Sequence, residues 1–358
     1  MKHRIIVIDD YNIKNTGLKA DGASTKTENV FRYLEKKYKN NSCDVKRIFL
    51  KSWKKRPISN LLSLLFGIKK YDIVIILPND ARLNLYSKVF HHKLKTNHFL
   101  YMVVGGWLSD FLPQKRKALA FCERIDGIYP ETREMVDNLN NMGLSNAFYS
   151  PVFSLQSQPT KEDKYVFNPQ KVDVCTFSRI DEEKGIFDAI EAVKKANSIL
   201  EKNIFKLNIY GKINNPTKEK IDYYLNKFKN NADCCNYYGP VDSEKLISTL
   251  NSNFLLLFPT FFWGEGFPAT LLEGYCACLP VLASDWKYNK ELVEIGKTGF
   301  LFKTRDVDEL ANLLICCLNN SEKIVNMRQN CLNYAKKFNP DYCMKNVCDK
   351  IDNILRNH

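Results

Sequence analysis

The sequence predicts an α/β protein made of two doubly wound domains, each built on a parallel β-sheet. Short apolar segments typical of buried strands alternate with longer helix-like segments along most of the 358 residues. A chain of this length exceeds what one core usually serves, so two domains are expected. Residues 151–169 are polar and contain three prolines, and they form the best linker between two series of strands.

Each predicted strand is a short run rich in Ile, Val, Leu, Phe or Tyr. In the first half of the chain, strands are predicted at residues 5–9, 45–50, 72–77 and 98–104, with helices that include 25–38 and 131–142. The series restarts with strands at residues 172–177, 205–210, 234–238, 254–258, 280–283 and 299–302. Pro340 then interrupts the last long helical run, and residues 341–356 are predicted to form a terminal helix.

These breaks predict a first domain at residues 1–160, a second at 161–338 and a terminal segment at 339–358 that crosses back to the first domain. Ligands of doubly wound sheets bind at the carboxyl ends of the strands. We therefore expect a ligand site in a cleft between two facing domains.

Positive charge is concentrated in the first half of the chain. Residues 1–150 hold 26 Lys and Arg against 14 Asp and Glu, whereas residues 151–358 are nearly balanced. Residues 51–70 combine cations with Trp, Leu and Phe, a composition typical of segments that lie in an anionic membrane surface. The alternative is a core helix with solvated basic ends. A nucleic-acid partner is not expected, because no nucleic-acid-binding motif accompanies the charge.

The remaining composition indicates a protein without a metal site. Twelve cysteines occur without Cys-x-x-Cys spacing, so we interpret them as small core residues of a reduced, cytoplasmic protein. A peripheral position at the inner face of the plasma membrane is left open. Asp306 and Asp308 imitate a metal-binding Asp-x-Asp pair, but Asp306 with Glu309 is more typical of a helix cap.

Two carboxylates, Glu265 and Glu273, follow an apolar strand and lie at the start of a predicted helix. Free N–H groups at a helix N-terminus attract phosphate, and carboxylates accept hydrogen bonds from hydroxyl groups. A site in which carboxylates bind hydroxyl groups and nearby backbone amides bind a diphosphate suits a nucleotide sugar. The segment therefore indicates a nucleotide-sugar site. The alternative for Glu265 is a carboxylate that caps the helix.

This segment resembles the Glu-x7-Glu signature of the retaining glycosyltransferases of family 4, which have the GT-B fold. Residues 279–284 (Leu-Pro-Val-Leu-Ala-Ser) match the strand that follows the signature. Residues 177–185 resemble the family's diphosphate-binding turn, and 209–211 and 238–241 match in order. The resemblance covers about residues 170–335 and is weaker over the first domain.

The resemblance assigns roles on the donor side. It implies that Arg179 and Lys184 contact the diphosphate, which suits a planar guanidinium and an ammonium. Glu273 would hold the ribose hydroxyls, and Glu265 would bind the transferred sugar near its reacting face. Glu265, Arg179 and Lys184 form the predicted catalytic set. The other predicted donor-binding residues are Gly17, Val241, Gly266, Phe267, Ala269 and Thr270.

The acceptor side is less well defined. Many family members carry a histidine after a strand of the first domain, where this chain has Gly105 or Gly106. That departure puts a histidine-assisted step in doubt. Trp107 and Asp110 become candidates for stacking on and hydrogen bonding to an acceptor sugar, and a core role for Trp107 is the alternative.

The sequence thus predicts a retaining glycosyltransferase of the hexosyltransferase type. It would move a sugar from a nucleoside-diphosphate sugar to a hydroxyl of a lipid-linked or growing surface saccharide, without a metal or other cofactor. One alternative is a nucleotide-sugar epimerase or hydrolase of the same fold. Another is a catalytically silent partner that binds saccharide or stabilises another glycosyltransferase.

Overall fold

The computed structural model describes residues 4–9, 22–39, 43–50, 56–155, 159, 165–214 and 216–357. Gly17, residues 51–55 of the basic segment and part of the predicted linker lie outside the described residues. The described residues up to Ser154 and from Asn339 onward form one compact unit, and those within Leu155–Phe338 form a second.

The first unit contains a five-stranded parallel sheet in the order β2-β1-β3-β4-β5. Its strands are β1 (Arg4–Asp9), β2 (Asp44–Phe49), β3 (Ile73–Ile76), β4 (His98–Met102) and β5 (Gly127–Tyr129). Its helices are α1 (Gly22–Tyr38), α2 (Pro57–Gly67), α3 (Asp80–Val89), α4 (Leu108–Phe111), α5 (Arg116–Cys122), α6 (Arg133–Asn141) and α14 (Pro340–Arg356). The central strands β1 and β3 are apolar on both faces because helices cover both sides of such a sheet.

The terminal helix α14 is fixed to the rest of the first unit by buried and partly buried polar contacts. The hydroxyl of Tyr33 on α1 donates to Asp341 at 2.7 Å, and that of Tyr38 donates to Asp352 at 2.8 Å. Ser150 donates to the carbonyl of Cys343 at 2.8 Å. The residues from Asn339 onward, which belong to this unit, are therefore separated in sequence from the rest of it by the second unit.

The second unit contains a six-stranded parallel sheet in the order β11-β10-β9-β6-β7-β8. Its strands are β6 (Val172–Phe177), β7 (Phe205–Tyr210), β8 (Cys235–Gly239), β9 (Leu256–Phe258), β10 (Val281–Ser284) and β11 (Gly299–Phe302). Its helices are α7 (Ile186–Ile199), α8 (Lys218–Lys229), α9 (Leu246–Asn251), α10 (Ala269–Cys276), α11 (Asn289–Leu292), α12 (Val307–Asn319) and α13 (Ser321–Lys336). This is the Rossmann strand order. The order in which successive strands are added to the sheet reverses between β6 and β9, and this position is the topological switch point.

The predicted α/β class with two parallel sheets is confirmed. The structure differs from the sequence-based prediction in several details. Strand β5 was not predicted, because it has only three residues and begins with glycine. Strand β9 is two residues shorter at its start than expected. The sequence pattern predicts Lys184 at the start of a helix, but the residue ends a short 3₁₀ turn (Glu182–Lys184) that precedes α7.

Other expectations concern side chains that could bind metal or cap helices. All twelve cysteines are free thiols, and all but Cys316 are buried, which confirms their role as small core residues. Asp306 is the N-cap of α12, where its carboxylate accepts from the N–H of Glu309 at 2.9 Å. Within the described residues, no group of three His, Cys, Asp or Glu side chains could hold a metal ion. None of the described helices combines the length and apolarity that a membrane span requires.

Candidate active site

The predicted donor residues of the second unit follow strands β6 and β9, which are neighbours at the point where the strand order reverses. Arg179 and Lys184 come after β6, and Glu265 comes after β9. Parallel strands deliver the residues after them to one edge of the sheet, which is where ligands of this fold bind. The topology therefore brings these residues, 81 positions apart in the case of Lys184 and Glu265, to one place.

Lys184 and Glu265 form a buried ion pair. The ammonium of Lys184 donates to Oε2 of Glu265 at 2.6 Å, and the two residues are only 9% and 7% exposed. Two charges removed from water in this way must be paired, since an isolated buried charge is costly. The contact also argues against the alternative role for Glu265, in which its carboxylate caps helix α10. The residue that caps α10 is Pro268, which has no side-chain cap, and Glu265 faces a lysine instead.

A threonine that the sequence analysis missed supports this pair. The hydroxyl of Thr260 donates to Oε2 of Glu265 at 2.9 Å and accepts from the N–H of Phe262 at 3.2 Å. The carbonyl of Thr260 accepts from Ser284, at the end of β10, at 2.5 Å. Both residues are fully buried. The glutamate carboxylate is thus held by a cation and a hydroxyl before any ligand binds, which is the kind of support that fixes an active-site geometry.

An aromatic ring lies against both predicted phosphate-binding cations. The Nζ of Lys184 is 4.5 Å from the centre of the Phe262 ring, and the guanidinium of Arg179 is 5.6 Å from it. Cations at this distance are attracted to the face of the ring. Arg179 is exposed whereas Lys184 is buried. Phe262 therefore holds an accessible guanidinium close to a buried ammonium, and no sequence motif had singled out this residue.

Two glycines allow the loops at this edge to approach one another. Gly185 has a φ of +69°, and a Cβ there would lie 2.0 Å from the carbonyl oxygen of Pro259. Gly211 has a φ of +144°, and a Cβ there would lie 1.7 Å from the carbonyl oxygen of Ser178. Both positions combine a backbone that L side chains rarely adopt with contact to another loop. Gly185 therefore lets the turn after β6 pack against the loop after β9. Gly211 lets the loop after β7 pack against the start of the same turn.

The predicted donor residues in α10 and just before it differ in burial and packing. Phe267 is buried and lies edge-on to Phe338 at 5.1 Å, so its side chain belongs to the core. The hydroxyl of Thr270 donates to the carbonyl of Phe177 at 3.0 Å and ties α10 to the end of β6. Glu273 is buried in the interior of α10. Gly266 is buried and Ala269 is partly exposed.

The loop after β8 contains Val241, one of the predicted donor-binding residues. Val241 is half-buried there, two residues after Gly239, whose φ is +74°. The hydroxyl of Tyr237 donates to the carbonyl of Gly211 at 2.9 Å, which links strand β8 to the loop after β7. Tyr238 is exposed and its ring stacks on Tyr210 with the ring centres 5.3 Å apart.

The predicted acceptor-side residues lie in the first unit. Trp107 is 6% exposed, its indole N–H donates to the carbonyl of Val104 at 2.7 Å, and its ring meets Phe111 edge-on at 5.3 Å. These contacts favour the core role that the sequence analysis gave as the alternative. Gly105 and Gly106 precede it, and Asp110 is exposed on α4. Gly17 cannot be placed, since it lies outside the described residues.

A second buried ion pair, also missed in the sequence, fixes the loop that contains Gly105. The ammonium of Lys26 on α1 donates to Glu131 at 2.7 Å and to the carbonyl of Val103 at 2.5 Å. The other oxygen of Glu131 accepts from the N–H of Gly105 at 3.3 Å. Both charged residues are buried. Lys26 and Glu131, which are 105 residues apart in sequence, therefore meet at the carboxyl edge of the first sheet.

The chain is similar in sequence to a family of known proteins. A family model described as "Glycosyl transferases group 1" matches residues 157–338, which is just over half of the chain. The chain belongs to this family of glycosyltransferase enzymes. The matched region contains Arg179, Lys184, Glu265 and Glu273. The finer assignment to family 4 stays a prediction.

Two curated relatives are similar in sequence. The "Uncharacterized glycosyltransferase MJ1069" of Methanocaldococcus jannaschii is 25% identical over 168 residues, which cover 47% of this chain and 41% of the relative. The "Uncharacterized 41.2 kDa protein in cps region" of Klebsiella pneumoniae is 25% identical over 305 residues, covering 78% of this chain and 80% of the relative. The match to the archaeal protein thus spans well under two thirds of that protein.

Solved structures share the fold at low identity. Sucrose-phosphate synthase (tll1590) from Thermosynechococcus elongatus superposes with a TM-score of 0.75 at 14% identity, covering 99% of this chain and 100% of the other. Anabaena Alr3699/HepE in complex with UDP gives 0.72 at 14% identity, covering 99% and 100%. TarM gives 0.63 at 19% identity, covering 81% and 58%. These neighbours confirm the predicted GT-B fold.

Proposed function

We propose that the protein transfers a hexosyl group from a nucleoside-diphosphate sugar to a hydroxyl group of a saccharide acceptor, with retention of anomeric configuration. The observation that carries the proposal is the buried Lys184–Glu265 pair at the switch point of a Rossmann sheet. A lysine beside an exposed arginine suits a diphosphate, and a carboxylate next to them suits sugar hydroxyls. Membership of the glycosyl transferases group 1 family supports the same chemistry.

The donor would be held by groups from two loops and one helix. Arg179 and Lys184 would contact the diphosphate, and the N–H groups of Gly266, Phe267, Ala269 and Thr270 would line the sugar and phosphate at the start of α10. Glu273 would accept from the ribose hydroxyls. An ammonium carries three N–H groups, and the bond to Glu265 uses one of them. Lys184 can therefore bind a phosphate oxygen and keep its glutamate partner.

The transfer itself would proceed by front-face attack. The bond between the anomeric carbon and the diphosphate oxygen breaks, and the acceptor oxygen bonds to that carbon on the same face. The acceptor proton passes to the departing diphosphate oxygen. Arg179 and Lys184 stabilise the negative charge that develops on the leaving group, which lowers the barrier. Glu265 orients the transferred sugar, and this reaction uses no metal or other cofactor.

The acceptor would be a lipid-linked or growing surface saccharide, handled at the cytoplasmic face of a membrane. One curated relative carries the description "in cps region", and the first domain is strongly basic. Several structural neighbours are described as complexes with UDP or UDP-glucose. Uridine nucleotides are therefore the first donors to test. Exposed Asp110 and the backbone of Gly105 and Gly106 are the proposed acceptor contacts in the first domain.

A thermal-shift screen with UDP, GDP, ADP and their common sugar conjugates tests the proposal. A nucleotide that binds only the folded protein raises Tm by mass action. The shift should disappear in a Lys184→Met variant and persist in Lys227→Met, which changes an exposed lysine of the same unit. If no nucleotide shifts Tm at millimolar concentration, the silent-partner alternative replaces the proposed function. If a donor turns over equally well without acceptor, a hydrolase or epimerase does.

A further inference from the structure

Helix α2 of the first unit exposes a continuous apolar stripe. Five large side chains lie three and four residues apart, the spacing that places them on one face of a helix. All five are exposed, at 73% for Ile58, 37% for Leu61, 47% for Leu62, 39% for Leu65 and 76% for Phe66. At 100° per residue they span an arc of roughly 140°.

The opposite face of the helix is the one that packs on the protein. Asn60 and Leu64 are its buried residues, and its C-terminal Gly67 lies against Ile48 of β2, where an added Cβ would meet the Ile48 side chain at 2.8 Å. The guanidinium of Arg4 also donates to the carbonyl of Gly67 at 2.9 Å. The orientation of α2 is therefore fixed by contacts on one side. The alternative of an ordinary core helix fails, because most of its large apolar residues point into solvent.

The charge around the stripe is of one sign. Residues 51–71 contain six Lys and Arg and no Asp or Glu. Among the described residues, Arg56 precedes α2, and Lys69 and Lys70 follow it, all three exposed. Anionic lipid headgroups attract such cations, while the acyl region accepts Leu, Ile and Phe side chains. A protein partner would have to match a broad apolar stripe and supply acids at both of its ends.

We propose that the exposed face of α2 docks onto an anionic membrane surface, with Ile58, Leu61, Leu62, Leu65 and Phe66 entering the headgroup boundary. The flanking cations contact lipid phosphates. This inference rests on the proposed function in one respect, the placement of the acceptor in the membrane. Docking through α2 holds the first domain, which carries the proposed acceptor contacts, at the surface where a lipid-linked saccharide is found.

Flotation of the full-length protein with vesicles of phosphatidylcholine and phosphatidylglycerol in equal amounts tests the docking. Phe66→Glu should weaken vesicle binding at least about tenfold, because it replaces an apolar anchor by a charge that anionic lipid repels. Lys69→Gln/Lys70→Gln should weaken it on the order of 20- to 30-fold at low salt and much less at high salt. Leu225→Glu, at an exposed position of α8 in the second unit, is the matched control and should bind as the wild type does.

Each variant is first checked for an unchanged melting temperature and an unchanged nucleotide shift, so that loss of docking is separated from loss of the donor site. The inference is overturned if the wild-type protein does not float with anionic vesicles. It is overturned as well if both Phe66→Glu and the double lysine variant float as well as the wild-type protein does. It is also overturned if the wild-type protein sediments as a dimer that Phe66→Glu converts to a monomer, since a second copy would then cover the stripe. None of these results tests the proposed roles of Lys184 and Glu265 in the donor site.

Discussion

At the scale of single residues, the proposed donor site is organised around one carboxylate that is already paired. Glu265 accepts from Lys184 and Thr260 on the same oxygen. Removing the lysine leaves a buried carboxylate with only a hydroxyl as partner. Lys184→Met should therefore lower the free energy of unfolding by about 3 kcal/mol, as measured by urea denaturation.

The double variant Lys184→Met/Glu265→Gln separates stability from function. It removes both charges, so most of the lost stability should return while transfer activity stays absent. A double variant as unstable as the single one would show that the ion pair is not the source of the loss. A double variant with full activity would remove both residues from the proposed catalytic set.

Thr260 provides a second residue-scale prediction. Thr260→Val keeps the shape of the side chain but removes the donor to Glu265. One lost hydrogen bond to a charged group is worth about 1.5–3 kcal/mol, so kcat should fall by roughly 10- to 150-fold, with little change in the KM for the donor. Thr260→Ser retains the hydroxyl and should restore most of the rate. Wild-type kcat in the valine variant would contradict the positioning role.

The two glutamates should differ in what they control. Glu273→Ala removes the proposed partner of the ribose hydroxyls and should weaken nucleotide binding measured by calorimetry. Glu265→Ala removes the proposed contact to the transferred sugar and should mainly reduce kcat in a donor-turnover assay. Undiminished binding and kinetics in both variants would rule out the site.

At the scale of elements, the turn between β6 and α7 depends on a glycine that has no room for a side chain. Gly185→Ala adds a Cβ that would lie 2.0 Å from a backbone carbonyl, at a φ of +69°. Gly296→Ala, also in the second unit, meets the same backbone strain at +74° but no atom within 4 Å. Thermal unfolding should show a cost of about 1 kcal/mol for Gly296→Ala and at least two or three times as much for Gly185→Ala. Equal costs would show that the loop contact adjusts without penalty.

The elements were predictable to the extent that their signals are local. Strands β6, β7 and β11 begin and end where the apolar runs do, and Asp306 caps α12 as its spacing with Glu309 predicts. Arg179, Lys184, Glu265 and Glu273 could be proposed as site residues because they belong to short ordered motifs. Thr260, Phe262 and the Lys26–Glu131 pair could not. Their contacts depend on how the strand ends meet, and none has a neighbour in sequence that marks it.

At the scale of the whole molecule, the accessibility of the cysteines measures how well the cores of both units are packed. Cysteines of the first unit include Cys122 and Cys343, those of the second include Cys175 and Cys317, and all are buried free thiols. Burial raises the pKa of the Cys317 and Cys343 thiols to about 12, so the reactive thiolate is scarce at neutral pH. Cys316, on the outer side of α12, is the exposed exception.

Brief treatment with iodoacetamide at neutral pH should therefore modify the folded protein mainly at Cys316, as read by peptide mass spectrometry. The same treatment in urea should modify all twelve cysteines, because unfolding exposes the eleven that are buried in the folded protein. Slow labelling that spreads to the cysteines of one unit before the other would show that the two cores open independently. Rapid labelling of buried thiols such as Cys122 or Cys175 in the folded protein would contradict the packing described for that unit.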